Sequence, residues 1–271
     1  MELFLDFCER QGIMFIRDVT VDQLNQWQNE WTLVAPQAKN TRKEKVRNFF
    51  KYCVVNGKIE MNPSHPDLWK NVRLKNGIDA VRPFEPEEYE KIIAAIDRTT
   101  MTDENKARIR AVMQLQRWSG LSLVDAVCLA KDELVEHKGK FRVRRERQKT
   151  KHNDNPSRID NVIPTWLAKE LLKVKNGNPK YFFWSGTTTP EDAPSYFQKL
   201  YRRVFKAADI EGSSHDLRHT FAVELLKKGI PTRRVQMALG HKSVQVTEHY
   251  YAKWCKSQQE ALDKDLEAAW E

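Results

Sequence analysis

The amino-acid sequence predicts a mostly helical protein with one small β-sheet, folded as two domains. Apolar residues recur at i, i+3, i+4 and i+7 through much of the chain, which is the spacing of helices that bury one face. Two short strand-like segments flank a polar turn. Near residue 80 the chain is low in apolar residues and contains Gly77, Pro83 and Pro86. We place the boundary between the domains there.

The N-terminal domain, residues 1–70, is predicted to be helical. Its first helix begins near Phe4 and ends at Gly12. A second helix begins at Val21, and Thr20 before it is a suitable N-cap because its hydroxyl can accept a hydrogen bond from the first turn.

A third helix, over residues 41–55, is the clearest in the chain. Its apolar stripe consists of Val46, Phe49, Phe50 and Cys53. The other faces and the preceding turn are basic and carry Lys39, Arg42, Lys43, Lys45 and Arg47. Taken alone, such a charge run is ordinarily a solvated face.

Residues 71–84 are predicted to form a linker, and residues 85–271 the second domain. Pro86 suits the first turn of a helix, and Thr102 precedes another that is interrupted at Gly120. The strand-like segments are residues 140–145 and 158–163, and further helices are expected over residues 166–174, 195–208 and 216–228.

The composition favours an anionic partner and a reducing environment. Lys and Arg number 46 against 37 Asp and Glu, a net charge of +9, which favours binding to a polyanion with salt-dependent affinity. Cys8, Cys53, Cys128 and Cys255 are far apart, so neither a zinc site nor a disulfide framework is expected. No membrane-spanning run or signal peptide is recognised, and we expect a cytoplasmic protein.

The residues that carry chemistry are concentrated near the C-terminus. His215 and Arg218 are three residues apart, so on a helix they share one face and can bind the same phosphate. His241 follows a glycine that would end a helix, and Tyr250 and Tyr251 come next. A phenol is a poor nucleophile unless cations stabilise the phenolate and the charge on phosphorus. The residues alone therefore predict a phosphate-binding cluster beside a phenol.

Three blocks together carry a family resemblance. They are His215-Asp216-Leu217-Arg218-His219-Thr220, Leu239-Gly240-His241, and a tyrosine about nine residues later. In this order they resemble the C-terminal motif of the tyrosine recombinases, the phage-integrase and Xer-type site-specific recombinases. The resemblance implies DNA recombination or integration through a 3′-phosphotyrosyl intermediate, without a metal or nucleotide cofactor. It also implies double-stranded DNA as the partner and a homo-tetramer on that DNA.

The same resemblance gives each domain a role. Residues 85–271 resemble the catalytic domain of the DNA breaking-rejoining fold, and residues 1–70 the helical, SAM-like core-binding domain, which crosses one face of the duplex. Beside such a motif, we interpret the basic helix of the first domain as a DNA-binding surface formed by Lys39, Arg42, Lys43, Lys45 and Arg47.

The general acid of the family is a lysine in a β-hairpin, which protonates the departing 5′ oxygen. Lys149, in Gln148-Lys149-Thr150, matches it by position. Lys151 is the second candidate for the acid and is also predicted to contact DNA. An ammonium suits this role because it gives up a proton and neutralises the developing alkoxide.

The first catalytic arginine of the family is missing from its usual place. It normally follows Thr-Gly-Leu, but the matching segment here is Ser119-Gly120-Leu121-Ser122. Loss of one buried charged donor from such a site lowers the rate by about two to three decades. Arg117 or a neighbouring lysine could compensate, or the chain binds DNA and cuts it slowly or not at all.

The nucleophile has two candidates. Spacing from His241 favours Tyr250, whereas the Tyr-Ala-x-Trp context favours Tyr251, which we prefer. Adjacent residues on a helix point about 100° apart, so only one of them can face the phosphate.

The tail beyond Trp254 is acidic and carries a narrow apolar stripe. It predicts a helix that packs on its own domain or on a neighbouring protomer.

Two other functions compete with recombination. One is a catalytically impaired or inactive DNA-binding relative, which Ser122 suggests. The other is a type IB topoisomerase, which shares the chemistry. The helical first domain and the short linker favour recombination.

Overall fold

The computed structural model describes residues 2–33, 36–72 and 81–251, together with Trp254, Asp263, residues 266–268 and Trp270. The side chains of Val246, His249 and Tyr250 are not among the described parts. The chain divides into two compact units, Met1–Gly77 and Ile78–Glu271. The predicted tail helix falls mostly outside the described residues.

The first unit is helical. Its helices are α1 (Glu2–Arg10), α2 (Val21–Asn29) and α3 (Pro36–Val55). Thr20 caps α2 as predicted: its hydroxyl accepts from the Gln23 amide, and its own amide donates to Gln23 Oε1 at 2.7 Å. Helix α3 begins five residues earlier than predicted, at Pro36, a residue that suits the first helical turn.

An aromatic core holds these helices together. It is formed by Phe4, Phe7, Trp27, Trp31, Phe50 and Trp69, all at most 9% exposed. Trp27 lies edge-on to Trp31 with ring centroids 4.9 Å apart, a geometry favoured by the ring quadrupoles. The segment after α3 therefore closes over the helices and contributes Trp69 to the core.

Two of the basic residues predicted to bind DNA are buried in this unit. Lys43 is 2% exposed, and its ammonium donates to the Lys70 carbonyl at 2.6 Å above the ring of Trp69. Arg47 is 6% exposed and donates to the carbonyls of Ser64 and Trp69. This corrects the expectation that both side chains face solvent. Buried backbone carbonyls need partners, and these two cations supply them.

The second unit combines helices with one small sheet, so the predicted fold class is confirmed. Its helices are α4 (Pro86–Ala95), α5 (Asp103–Ser119), α6 (Leu123–Val127), α7 (Thr165–Lys173), α8 (Ala193–Ala208), α9 (Ser214–Lys227), α10 (Thr232–Leu239) and α11 (Val244–Tyr251). Its strands β1 (Leu134–His137), β2 (Lys140–Glu146) and β3 (Arg158–Ile163) form an antiparallel sheet in that order. The sequence analysis did not predict β1.

Two apolar clusters form the interior of this unit. The larger one joins the buried faces of α4, α5, α7 and α8 with the inner face of the sheet. The smaller one joins α9, α10 and α11 through Val223, Leu226, Val235, Leu239 and Tyr251. Helix α11 is thereby held on the unit's own core.

Both ends of the predicted linker are attached to their units. Val72 exchanges two hydrogen bonds with Asn40 of α3, at 2.8 and 2.9 Å. Val81 and Phe84 are buried in the second unit, and the Phe84 amide donates to Thr220 Oγ1. Residues 73–80, the middle of that segment, lie outside the described residues. None of the helices described is long and apolar enough to cross a membrane.

Candidate active site

The ends of α5 and α10 meet beside the start of α9. Gly120 ends α5 with φ +70°, and a Cβ there would lie 2.4 Å from the ring of Phe221. Only glycine permits this close, left-handed turn. Asn161 of β3 donates from one amide nitrogen to the carbonyls of Ser119 and Ala238, both at 2.8 Å. The sheet therefore fixes the two helix ends in place.

Arg218 lies at this junction. It is 4% exposed and donates to the carbonyls of Gly120 and, at 2.7 Å, Leu239. Burial and then the charge of Arg147 lower the pKa of Arg218 to about 10. The guanidinium therefore stays charged at neutral pH in a position set by two helix C-termini.

His241 completes the same cluster. Its Nε2 lies 3.1 Å from Arg218 Nη2 and its Nδ1 lies 3.0 Å from Thr247 Oγ1. Burial, together with the charges of Arg218 and Arg147, lowers the pKa of His241 to about 3. The ring is therefore neutral, and we assign Nε2 as the acceptor from Arg218.

Tyr251 is brought into contact with a residue that the sequence analysis did not select. Tyr251 is 1% exposed, and its hydroxyl lies 2.7 Å from Nδ1 of His219. Burial is the main cause that lowers the pKa of His219 to about 4, so the ring is neutral, and we assign Nδ1 as the acceptor from the phenol. The electrostatic interaction of Tyr251 with Arg218 raises the pKa of Arg218 and partly offsets the effect of burial. The side chain of Tyr250 lies outside the described parts.

His215 lies at the solvent edge of this group. Its ring centroid is 6.2 Å from that of His219, one helical turn further along α9. Its pKa is lowered by partial desolvation of the ring and by the charge of Arg218. An exposed imidazole in this position can reach a ligand that approaches Arg218.

The two hairpin lysines lie in different surroundings. Lys149 is exposed in the short turn Gln148–Thr150, and its charge contributes to the lowered pKa of His241. Its ammonium is therefore within electrostatic range of His241. Lys151 is exposed as well and lines a groove with Arg144 and Arg158.

Ser122 has a structural role at the expected arginine position. It is the N-cap of α6, and its hydroxyl donates to Asp125 Oδ2 at 2.6 Å. Arg117 forms an ion pair with Glu224 and lies over the ring of Trp118, so it does not enter the cluster.

The basic surface of the first unit retains three of the predicted DNA contacts. Lys45 is exposed, and Lys39 and Arg42 are half-buried. The guanidinium of Arg42 lies 5.1 Å from the ring of Trp31. These three side chains, unlike Lys43 and Arg47, remain available to a ligand at the surface.

The arrangement is suited to an anionic, tetrahedral ligand. Arg218 is a buried cation held against His241, the charge of Lys149 acts on the same histidine, and the exposed ring of His215 lies one turn before Arg218 on α9. Within the described residues, no group of three or more His, Cys, Asp or Glu side chains is arranged to hold a metal ion.

Comparison with known proteins identifies the family. Residues 82–256, more than half of the chain, match the phage integrase family. The chain is similar to tyrosine recombinase XerC of Oceanobacillus iheyensis, with 24% identity over 262 residues that cover 92% of this chain and 82% of the relative.

Solved structures have the same fold. The chain is similar to the XerH site-specific recombinase bound to palindromic difH substrate in a post-cleavage complex, with a TM-score of 0.73, 18% identity and coverage of 96% of this chain and 77% of that one. It is also similar to lambda integrase (75–356), a dimer bound to a COC′ core site, with a TM-score of 0.65, 18% identity and coverage of 93% and 88%. The chain belongs to the phage integrase family, the tyrosine recombinases.

Proposed function

We propose that this protein recombines DNA at a specific site by cutting and rejoining strands through a covalent bond between Tyr251 and a 3′ phosphate. Site-specific strand exchange is the activity of the family to which the chain belongs. The observation that carries the residue assignment is the hydrogen bond from the Tyr251 hydroxyl to His219, beside the buried Arg218.

Arg218 and His215 bind the scissile phosphate in this proposal. They lie on one face of α9, and Arg218 is held by helix-end carbonyls before any ligand arrives. A donor that is already oriented stabilises the extra negative charge of the transition state without reorganising. His241 fixes the guanidinium from the other side.

The first chemical step transfers the phosphate to the tyrosine. The Tyr251 oxygen forms a bond to phosphorus while the bond between phosphorus and the 5′ oxygen breaks. The phenol proton passes to Nδ1 of His219, whose pKa rises when an anionic phosphate lies nearby. Lys149 gives a proton to the departing 5′ oxygen. Religation reverses these transfers with a different 5′ hydroxyl.

The remaining contacts serve DNA binding and assembly. Lys39, Arg42 and Lys45 of the first unit bind the phosphate backbone, and Lys151 of the hairpin is a separate backbone contact of the second unit. We further propose a homo-tetramer on DNA, because exchange between two duplexes needs four cleavages, and a cytoplasmic location where the DNA is accessible. An inactive relative is not favoured, since the relatives are recombinases.

The test is covalent trapping. Duplexes that bind the full chain are selected from a randomised pool, and the tightest is prepared with single nicks at successive positions. A nick near the cut releases a short 5′-hydroxyl fragment, so the covalent complex accumulates and survives denaturing electrophoresis.

Two matched variants decide the assignment. Tyr251→Phe removes one oxygen and should abolish the adduct while DNA affinity is unchanged. Tyr250→Phe should retain a substantial part of the adduct. An adduct that survives in Tyr251→Phe, or wild-type protein that binds tightly and forms none, would overturn the proposal.

A further inference from the structure

We infer that Arg147, delivered by the β2–β3 hairpin, supplies the second guanidinium to the scissile phosphate in place of the arginine that the family carries at the position of Ser122. This inference rests on the proposed function. Arg147 lies outside the sequence motif and would supply the positive charge that the motif lacks.

The position of Ser122 contains no cation of its own. The serine hydroxyl caps α6 and donates to Asp125 Oδ2. Arg117, the nearest arginine in the sequence, is 7% exposed at its side chain and is paired with Glu224. Its guanidinium lies over Tyr89 and Trp118, 5.4 and 4.9 Å from the ring centres. It is therefore committed elsewhere.

Arg147 reaches the space beside Ser122 from the other direction. Its Nε lies 3.5 Å from Asp125 Oδ2, the same oxygen that accepts from the serine. Its Nη1 donates to the Gly240 carbonyl at 3.0 Å. One side of the guanidinium is therefore held between the start of α6 and the end of α10.

The other side of that guanidinium is open. Nη2 of Arg147 donates to no residue that the structure describes, although its side chain is only 13% exposed. The charge of Arg147 contributes to the lowered pKa values of Arg218, His215 and His241. Among the described residues, Asp125 is the carboxylate in contact with Arg147, and an anion placed between Arg147 and Arg218 would be stabilised by both guanidinium groups. A phosphate ester is such an anion.

The surrounding backbone makes room for this side chain. A Cβ at Gly240 would lie 2.7 Å from Cδ of Arg147. Asp125 is fully buried, accepts from the Gln148 amide at 2.8 Å and thereby anchors the residue next to Arg147. The hairpin turn and the helix end are thus both fitted to the path of this arginine.

The competing interpretation is that Arg147 only neutralises buried Asp125. A neutral substrate separates the two. When a methylphosphonate replaces the scissile phosphate, one negative charge is lost, so a cation that balances this charge becomes dispensable. A cation that only supports the fold remains equally necessary on both substrates.

The experiment compares adduct formation on the nicked duplex selected above, with a phosphate or a methylphosphonate at the cut. Arg147→Ala should lower the rate on the phosphate by about 100-fold or more, with DNA affinity within about tenfold. On the methylphosphonate, the rate of adduct formation by Arg147→Ala should lie within about tenfold of the wild-type rate. Arg144→Ala, three residues earlier at an exposed position of β2, is the matched control and should leave the rate unchanged on both substrates.

Two further variants complete the test. Arg147→Lys keeps a positive charge beside Asp125, so it tests the two-pronged grip if the alanine variant does not fold. Ser122→Arg should restore cleavage to Arg147→Ala. An equal defect of Arg147→Ala on both substrates, or no rescue of that variant by Ser122→Arg, would overturn the inference, as would an Arg147→Lys variant that cleaves the phosphate as fast as wild type. Wild-type protein that forms no adduct would overturn the proposed function instead, and the inference with it.

Discussion

At the scale of single residues, the site depends on imidazoles that are kept neutral. His219 accepts from the Tyr251 phenol, and His241 accepts from Arg218, in the tautomers assigned above. Both roles need an unprotonated nitrogen. Burial lowers the pKa of His219 to about 4 and that of His241 to about 3, from 6.5 in an unfolded chain. Both groups are therefore ready to accept hydrogen bonds before DNA binds.

These shifts predict a dependence of stability on pH. Between the folded and unfolded pKa values the unfolded chain binds more protons, so the free energy of unfolding falls as the pH drops below 6.5. We expect a loss on the order of 1 to 2 kcal/mol for each of the two histidines at pH 5. Urea denaturation at pH 7 and pH 5 measures it.

A histidine variant separates this effect from general acid unfolding. His219→Gln should remove roughly half of the expected loss between pH 7 and pH 5. His152→Gln, at an exposed position in the hairpin turn, should leave the loss unchanged. Identical pH dependence in wild type and His219→Gln would show that His219 is not held neutral.

The residues that the sequence revealed are those whose role is local. Arg218 and His241 were selected because they stand in fixed blocks of the chain. Arg147 was not selected, and His219 was given no role although it stands in the first block. Both roles depend on contacts between distant elements: Arg147 meets Gly240 93 residues away, and His219 meets Tyr251 32 residues away. Spacing along the chain carries no signal for such pairs.

At the scale of elements, the end of α10 performs two tasks. Gly240 terminates the helix in a left-handed conformation with φ +61°, and its missing side chain leaves space for Arg147 and Ile159. The same turn places His241 against Arg218. The helix end therefore sets the position of one histidine and admits one arginine.

Two glycine variants test the second task. Gly139 in the β1–β2 turn has φ +72°, but a Cβ there would meet nothing within 4 Å. Gly139→Ala and Gly240→Ala should each cost about 1 to 2 kcal/mol of backbone strain. Only Gly240→Ala should also slow adduct formation, by about tenfold or more, because it displaces Arg147. Thermal unfolding and the trapping assay measure the two quantities, and equal cleavage by both variants would contradict this account.

Helix α3 shows where a sequence pattern is insufficient. Its apolar stripe was recognised, yet Lys43 and Arg47 lie beside that stripe and not on the solvated face. Their partners are carbonyls of residues 64–70, which follow about twenty residues later. A basic residue on a helix is assigned to solvent unless such partners are known.

This difference predicts opposite effects of two substitutions on α3. Lys45→Ala should leave stability unchanged and lower the slope of log affinity against log salt by about 0.9, as expected for one lost phosphate contact. Arg47→Ala should destabilise the first unit by about 3 kcal/mol, because it leaves buried carbonyls without donors. Salt titrations and denaturation measure these effects, and a destabilised Lys45→Ala variant with an unchanged slope would exclude the proposed contact.

At the scale of the whole molecule, the sequence was sufficient for the fold class and insufficient for the sheet. Long helices in which apolar residues recur at the helical spacing over several turns, such as α5 and α8, were predicted close to their observed bounds. Strand β1 was missed because it has only four residues, two of them exposed, and therefore lacks a readable alternation. Its pairing with β2 is a tertiary contact that no local pattern encodes.

The central claim is that Tyr251 becomes covalently bound to DNA, and mass spectrometry of the trapped wild-type adduct tests it most directly. Trypsin should release residues 243–253, which contain both tyrosines, so fragmentation between Tyr250 and Tyr251 is needed to assign the site. We predict that the nucleotide mass is found on Tyr251. A nucleotide on Tyr250 or on any other residue would contradict it.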